Sequence, residues 1–218
     1  PGRPFVLLKW AASLDGKIAT NSGASRWISG PESRAEVHIL RTLADAVMAA
    51  RGTLLADDPA LDARPETDAP FHPPLRVLID APQDLPTQAR IFHSAGPRLW
   101  VCDEQGAAPT ASPPADKLLR VARGADGLLA LAPILRALRA EHGVRRLLVE
   151  GGAQLHGALL DQRLADAVVR YEAPILLGGT RSACSGQGVE DPAHALRLDH
   201  ESRRSLGTDL RRAFLIQA

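Results

Sequence analysis

Three short stretches of this sequence combine residue types able to do chemistry. In the first, an apolar run, Phe5-Val6-Leu7-Leu8, meets Lys9 and continues through Trp10-Ala11-Ala12 into the polar turn Ser13-Leu14-Asp15-Gly16-Lys17. Lys9, Lys17 and Lys117 are the only lysines in a chain whose other cationic side chains are arginines, and two of the three fall here. A compact ammonium whose pKa moves readily is not interchangeable with a guanidinium, so the placement singles these lysines out; the alternative is coincidence. In the second stretch, Asp57-Asp58-Pro59 is followed by Arg64. Two carboxylates before a proline make an ordinary helix terminator, and with the arginine they could equally hold a polyhydroxylated ligand. In the third, Leu147-Leu148-Val149 runs into Glu150-Gly151-Gly152 and then a helix. Glycines at such a turn let backbone N–H groups approach a phosphate at the positive end of the helix dipole, or they serve tight strand-helix packing. The pattern is not the GxGxxG of a dinucleotide-binding turn. Glu150, at the tip of an interior strand, has no helix or solvent role and is the stronger carboxylate candidate.

These residues need elements to place them. Phe5 onward reads as a strand apolar along its length and buried on both faces, and the polar, glycine-rich residues 15–30 read as a loop over a site, pinned by Trp27-Ile28. Ser29-Gly30-Pro31-Glu32 marks a helix start, with Ile39, Leu40 and Leu43 as the apolar face. Arg34, His38 and Arg41 form one stripe on that helix, either a solvated face or a receptor for phosphate, whose oxygens match arginine forks two at a time. Asp45–Ala50 reads as a second strand delivering Arg51-Gly52-Thr53 at its end, followed by a helical turn stopped by Pro59.

Residues 65–74 form a proline-rich linker, Leu75–Asp80 and Arg98–Cys102 are strands, and 103–117 is an exposed excursion. A helix is expected over Leu131–His142, with Ile134, Leu135 and Leu138 inward and Gly143 closing it. A strand at Arg145–Glu150, a helix at Ala153–Leu160, a strand at Ala167–Ala173, a glycine turn at 178–179 and a last edge strand at Leu210–Ile216 complete the chain. Strands alternating with helices and a strand-rich finish predict one α/β domain over residues 1–218, with a mostly parallel sheet, helices on both faces and antiparallel C-terminal edge strands. In such sheets ligands bind beyond the carboxyl ends of the strands, so Lys9, Thr53 and Glu150 are expected at one pocket.

Composition narrows the function. A net charge of +1, with the basic residues scattered, gives no electrostatic case for nucleic acid. No apolar run is long enough to span a membrane and no signal peptide is present. Cys102 and Cys184 have no metal-ligand or CxxC spacing and read as reduced bystanders in a cytoplasmic protein.

Taken in order and spacing, Lys9, Ser13–Lys17, Ser25-Arg26-Trp27-Ile28, Arg41, Leu55–Pro59 with Arg64, and Val149–Gly152 resemble the reductase domain of bacterial riboflavin biosynthesis. That family, 5-amino-6-(5-phosphoribosylamino)uracil reductase, has a dihydrofolate-reductase-like fold, and the likeness spans nearly the whole chain. The resemblance implies reduction of a ribosyl group to a ribityl group with NADPH. It implies that Lys9, Asp57 and Glu150 line the reacting ribose, and that Ser25, Arg41, Leu61 and Arg64, with Glu150, hold the substrate and its phosphate. The cofactor would face Ala11, Trp27, Thr53, Asp57, Ala81 and the turn Gly151, Gly152, Ala153, Gln154 and Leu155; no metal is implied. Members tend to pair as homodimers, and the C-terminal edge strand offers a surface for that.

Two departures stand out. Many members carry an upstream zinc deaminase domain with H-x-E and P-C-x-x-C signatures, which this sequence lacks, so the chain is either a stand-alone reductase or part of a bifunctional protein. Ala81 replaces a small hydroxyl residue frequent in relatives, which counts against a full set of contacts to the NADP 2′-phosphate. The rivals are a reductase of the same fold acting on a related pyrimidine or pterin, and a catalytically silent nucleotide-binding module. With only 4% aromatic residues the chain is poorly supplied for a pterin slot and well supplied with arginines for a sugar phosphate.

Overall fold

The computed structural model describes residues 2–66, 69–106 and 117–217. In chain order the elements are β1 (Phe5–Ser13), α1 (Pro31–Leu43), β2 (Ala46–Ala50), α2 (Arg51–Asp57), β3 (Leu75–Ile79), α3 (Arg90–His93), β4 (Arg98–Asp103), β5 (Lys117–Val121), α4 (Leu131–Ala140), β6 (Arg146–Val149), α5 (Ala153–Asp161), β7 (Ala167–Ala173), a 3-10 turn at Pro192–His194, β8 (Leu198–Leu206) and β9 (Asp209–Ile216). The strands follow the order β5-β4-β3-β2-β6-β1-β7-β9-β8. Pairing is parallel from β2 to β5 and between β1 and β7, and antiparallel where β9 joins β7 and β8. The expected α/β class, mostly parallel with an antiparallel C-terminal finish, is borne out. The chain divides into two compact units, Pro1–Phe5 with His38–Leu148, and Val6–Val37 with Val149–Ala218.

In the first unit the parallel ladder is apolar on both sides. Val47, Met48, Val77, Leu78, Leu99, Trp100 and Val101 are buried, and α4 turns Ile134, Leu135 and Leu138 inward as expected. Gly143, at φ +68°, lets the chain leave that helix, and the Val144 N–H bonds back to the Leu138 carbonyl. Two arginines lie in this core, Arg76 and Arg98. The Arg76 guanidinium donates to the carbonyls of Ala60, Ile91, Ser94 and Gly96 and to the Ser94 hydroxyl, and Arg98 donates to the Phe92 carbonyl. A helix as short as α3 leaves its carbonyls without helical partners, and these guanidinium groups supply the donors that burial would otherwise withhold.

In the second unit, Val6 and Leu8 are fully buried while Leu7 and Lys9 are half-buried, so β1 buries one face rather than both. That alternation lets a charged Lys9 sit mid-strand, opposite Val169, and not at the strand tip. Asp209, at the start of β9, accepts hydrogen bonds from the Gly30 N–H at 2.7 Å and the Ser33 hydroxyl at 2.6 Å, fixing the start of α1. The Asp15 carboxylate accepts from the Leu177 and Gly178 N–H groups at 3.1 and 2.7 Å, tying the turn after β1 to the segment after β7.

Several expectations need correction. Trp27 is 70% exposed and stacks beside the Arg34 guanidinium, 4.5 Å from the ring centre, so it does not pin the loop from within. Ile39 and Leu43 point outward, and α1 buries Ser33 and Val37 instead. The second helix opens at Arg51, directly after β2, and ends where Asp58 turns left-handed at φ 42°, one residue before Pro59. The short α3 and the strands β5 and β8 were not expected. Leu210–Ile216 belongs to β9, which is flanked on both sides, and the sheet's edge there is β8. Residues 107–116 of the expected excursion, and Thr67 and Asp68 of the linker, lie outside the described residues.

Candidate active site

The second unit brings together the two strongest chemical candidates. Lys9 projects from the middle of β1, and Glu150 follows the last residue of β6. Lys9 Nζ stands 3.9 Å from Glu150 Oε2, with side chains 17% and 8% exposed. The same ammonium lies 5.8 Å from the ring centre of Tyr171, on β7. An ammonium and a carboxylate largely withdrawn from water, with an aromatic face beside them, keep strong electrostatic influence on anything bound there. Tyr171 is itself buried, and its phenol is pushed far above its usual range by burial, with the Glu36 and Glu150 carboxylates adding to the rise and Arg211 opposing it. It therefore presents a neutral phenol at neutral pH.

The turn after Glu150 is built from the glycines. Gly151 takes φ +94°, which side-chain-bearing residues rarely adopt, and Gly152 is the extended N-cap of α5. The first helical bond runs from the His156 N–H to the Gly152 carbonyl. The N–H groups of Ala153, Gln154 and Leu155 therefore precede the helical ladder at its positive end, in the geometry that receives phosphate. Gln154 is exposed, whereas the Leu155 side chain is in the core, so only its backbone suits a ligand. Ala11 is half-buried in β1, opposite Tyr171, and Ser25 is half-buried in the loop before α1, where its carbonyl accepts from the Ile28 N–H.

The first unit gathers another set. Thr53, in the first turn of α2 rather than at a strand tip, and Asp57, at its end, are half-exposed. The Arg41 guanidinium donates to the Asp62 carbonyl at 2.8 Å, and the Arg64 N–H donates to His38 Nδ1 at 3.2 Å. Arg64 Nε lies 3.7 Å from the Asp62 carboxylate. Leu61, buried at φ 52°, turns the chain between them. Two arginines, one from α1 and one from the 60–64 segment, are thus gathered at one loop. Burial, then the charges of Arg41 and Arg64, hold the His38 pKa below its usual value, so the ring enters neutral conditions as an acceptor. Ala81 follows Asp80, whose buried carboxyl accepts from Trp100 Nε1 at 3.1 Å and the Leu85 N–H at 3.2 Å. Arg51 Nε stands 3.3 Å from Asp80 and 2.7 Å from Asp84. Burial raises the Asp80 pKa despite that partner.

Sequence reasoning passed over Tyr171, His38 as a loop acceptor, the Arg51–Asp84 pair and His156. The available signal for His156 was a lone polar side chain between Leu155 and Leu159 on the buried side of a helix, a pattern that ordinary cores also show.

The strand order, and a likeness to a solved dihydrofolate reductase of Enterococcus faecalis with a TM-score of 0.53 at 10% identity over 98% of this chain, give a dihydrofolate-reductase-like α/β fold. The family described as the RibD C-terminal domain matches residues 4–211, and the chain belongs to it. The 2,5-diamino-6-ribosylamino-4(3H)-pyrimidinone 5′-phosphate reductase of Methanothermobacter thermautotrophicus is 35% identical over 216 residues, covering 95% of this chain and 96% of that protein. The riboflavin biosynthesis protein RibD of Mycobacterium tuberculosis is 35% identical over 211 residues, covering 96% of this chain and 53% of its own length. A solved structure of Acinetobacter baumannii RibD superimposes with a TM-score of 0.85 at 29% identity, over 100% of this chain and 59% of that one. The chain thus spans about half the length of the RibD relatives it matches and nearly all of the archaeal reductase. Among the described residues no group of His, Cys, Asp and Glu could hold a metal ion, and no helix is long and apolar enough to cross a membrane.

Proposed function

We propose that the chain is an NADPH-dependent reductase that converts the ribosyl group of a phosphoribosylaminopyrimidine into a ribityl group in riboflavin biosynthesis. The observation that carries this reading is the Lys9–Glu150 pair, 3.9 Å apart and largely buried, beside a glycine turn at the start of α5. Close sequence likeness to a reductase over nearly its whole length supports it.

The residues present fit a dinucleotide: Gly151 adopts a backbone angle open to glycine, and the first-turn N–H groups of α5 offer donors to a pyrophosphate. When bound, the nicotinamide supplies the hydride. The substrate side requires that the furanose open at C1′ to an imine with the pyrimidine amino group, and that one hydride and one proton add across that C=N bond. Lys9 moves the ring-opening proton between the sugar oxygen and the site. Glu150 stabilises the cationic character that makes C1′ an acceptor, a role Asp57 can share. Arg41 and Arg64 bind the sugar phosphate, with Ser25 and Leu61 completing the substrate contacts. Ala11, Trp27, Thr53 and Ala81 line the cofactor, and Ala81 brings no hydroxyl to it. We further propose a cytoplasmic homodimer paired along β8, the exposed edge strand, with no role for nucleic acid.

Two substrates test the reading. The archaeal relative's substrate name carries a 2-amino group on the ring, whereas 5-amino-6-(5-phosphoribosylamino)uracil carries an oxygen there. NADPH oxidation should be followed with each, and with dihydrofolate as the comparison. Turnover with either ribosyl compound and none with dihydrofolate is expected, and the preferred ring tells whether deamination precedes reduction. Tight binding of both compounds without NADPH oxidation would leave a silent nucleotide-binding module.

A further inference from the structure

His156 is buried, at 1% exposure, on the side of α5 that faces Trp10, with ring centres 5.5 Å apart. Its Nε2 receives the Gly151 N–H at 3.1 Å, and its Nδ1 stands 3.3 Å from the Ala183 carbonyl. A backbone N–H can only donate, so Nε2 must hold a lone pair. The single ring hydrogen of the neutral imidazole is then on Nδ1, where the Ala183 carbonyl accepts it. The Val149 carbonyl, 3.4 Å from Nε2, is another acceptor and cannot bond to the ring in this form. Burial lowers the His156 pKa, in keeping with a neutral ring.

The ring thus bridges two segments. One is Glu150-Gly151-Gly152, and the other is the loop after β7, which is also fastened to α5 by the Ser185 N–H to the Ala153 carbonyl and the Gln187 N–H to the Asp161 carboxylate. Gly157, one residue on, admits no side chain: a Cβ there would lie 2.5 Å from the backbone of Ser185 and Gly186. The loop is therefore packed hard against the helix, and the imidazole transmits that rigidity to the glycine turn.

We propose that His156 is a positioning residue: by accepting the Gly151 N–H and donating to Ala183 it holds the Gly151–Gly152 turn in the form that receives the pyrophosphate of NADPH. This rests on the proposed reading of the turn as the cofactor's cradle. A turn of two glycines has the greatest conformational freedom to lose, and a buried ring bonded on both sides gives it a fixed support.

Two polar substitutions divide the two halves of the ring. His156→Gln places an oxygen where Nε2 stands and keeps an acceptor for Gly151; His156→Asn keeps a donor for Ala183 but does not reach Gly151. Amide hydrogen exchange at Gly151 and the KM and kcat for NADPH oxidation are measured on both. His156→Asn is expected to exchange Gly151 at least about tenfold faster and to raise the KM for NADPH roughly tenfold with kcat within about twofold, the size expected for a buried donor that loses its partner. His156→Gln is expected to stay within about threefold of the parent in exchange and KM, since its hydrogen bond is retained. Unchanged Gly151 exchange in His156→Asn overturns the proposal. Faster exchange with an unchanged KM for NADPH retains the grip of His156 on the turn but removes the cofactor from it, a failure of the functional reading alone.

Discussion

Two loops of this protein are presented in the same way by different means. At each, an imidazole accepts a backbone N–H beside residues expected to contact a ligand: His156 takes the Gly151 N–H, and His38 takes the Arg64 N–H. The glycine turn rests on a ring that is 1% exposed and bonded on both sides. The arginine loop rests on a half-exposed ring among charges, with Arg41 as a second tie through the Asp62 carbonyl. The difference follows from what each loop offers. Backbone donors work only at fixed positions, so the turn needs a rigid support out of water. Guanidinium groups reach their target through flexible stems, so their loop tolerates a wetter and looser one.

The largest effect that can break this comparison belongs to the buried side. Glu150→Gln keeps the shape of the side chain and removes its charge beside Lys9, so the single-turnover rate of NADPH oxidation is expected to fall about 100-fold or more, the range of a general acid–base or charge-stabilising group. Fluorescence titration should show NADPH still binding. A rate within about threefold of the parent would remove the Glu150 charge from the chemistry.

The exposed side predicts a different signature. Arg64→Ala is expected to raise the KM for the phosphorylated substrate roughly 10- to 100-fold and to leave its dephosphorylated form almost unaffected, since a charge-assisted contact to phosphate is lost. His38→Ala, which removes only the acceptor under Arg64, is expected to raise the same KM about fivefold, the lower end for a partly solvated hydrogen bond. Equal losses for both substrate forms would separate the arginine loop from phosphate recognition.

How far the sequence foretold these arrangements depends on where each signal lies. Strands such as Ala46–Ala50 and Ala167–Ala173 announce themselves because a buried run of apolar residues admits few other fates. β8, Leu198-Asp-His-Glu-Ser-Arg-Arg-Ser-Leu206, is exposed nearly throughout and held by pairing with β9, so no apolar pattern marks it. Lys9 and Glu150 stood out as charges set in apolar runs. His38 and His156 did not, because their work is to accept one N–H from a backbone brought close only by the fold. Arg76 was hidden for the same reason, since its partners are carbonyls 15 to 20 residues away. Trp27 misled in the opposite sense: a tryptophan suggests a core, yet two flanking guanidinium groups, Arg26 and Arg34, stabilise it at the surface.

Acid titration separates the two imidazoles more finely. A histidine whose pKa is lowered by folding binds its proton more readily in the unfolded chain. Its contribution to stability is therefore complete above the unfolded value of about 6.5 and is lost as pH falls through and below it. Both His38 and His156 have lowered values, so the melting temperature is expected to decline from pH 7 to pH 5. Because His156 is the more deeply buried of the two rings, His156→Gln should flatten that decline more than His38→Gln does. The reverse order would mean that the charges of Arg41 and Arg64, and not withdrawal from water, set the cost of an imidazolium here.

The smallest effect expected is at Asp15, whose carboxylate ties the turn after β1 to Leu177 and Gly178. Hydrogen bonds from Ser13 and then from the Leu177 N–H lower its pKa to about 2. The sign is opposite to that of the histidines. A lowered carboxylate pKa contributes stability that is complete above the unfolded value, near 3.9, and is lost as pH falls towards 2. Asp15→Asn is expected to melt slightly below the parent at pH 7 and to converge with it in acid, because the exposed carboxylate is well screened by solvent. A deficit that stays the same from pH 7 down to pH 2.5 would show that the amide's geometry, not the lost charge, loosens the turn.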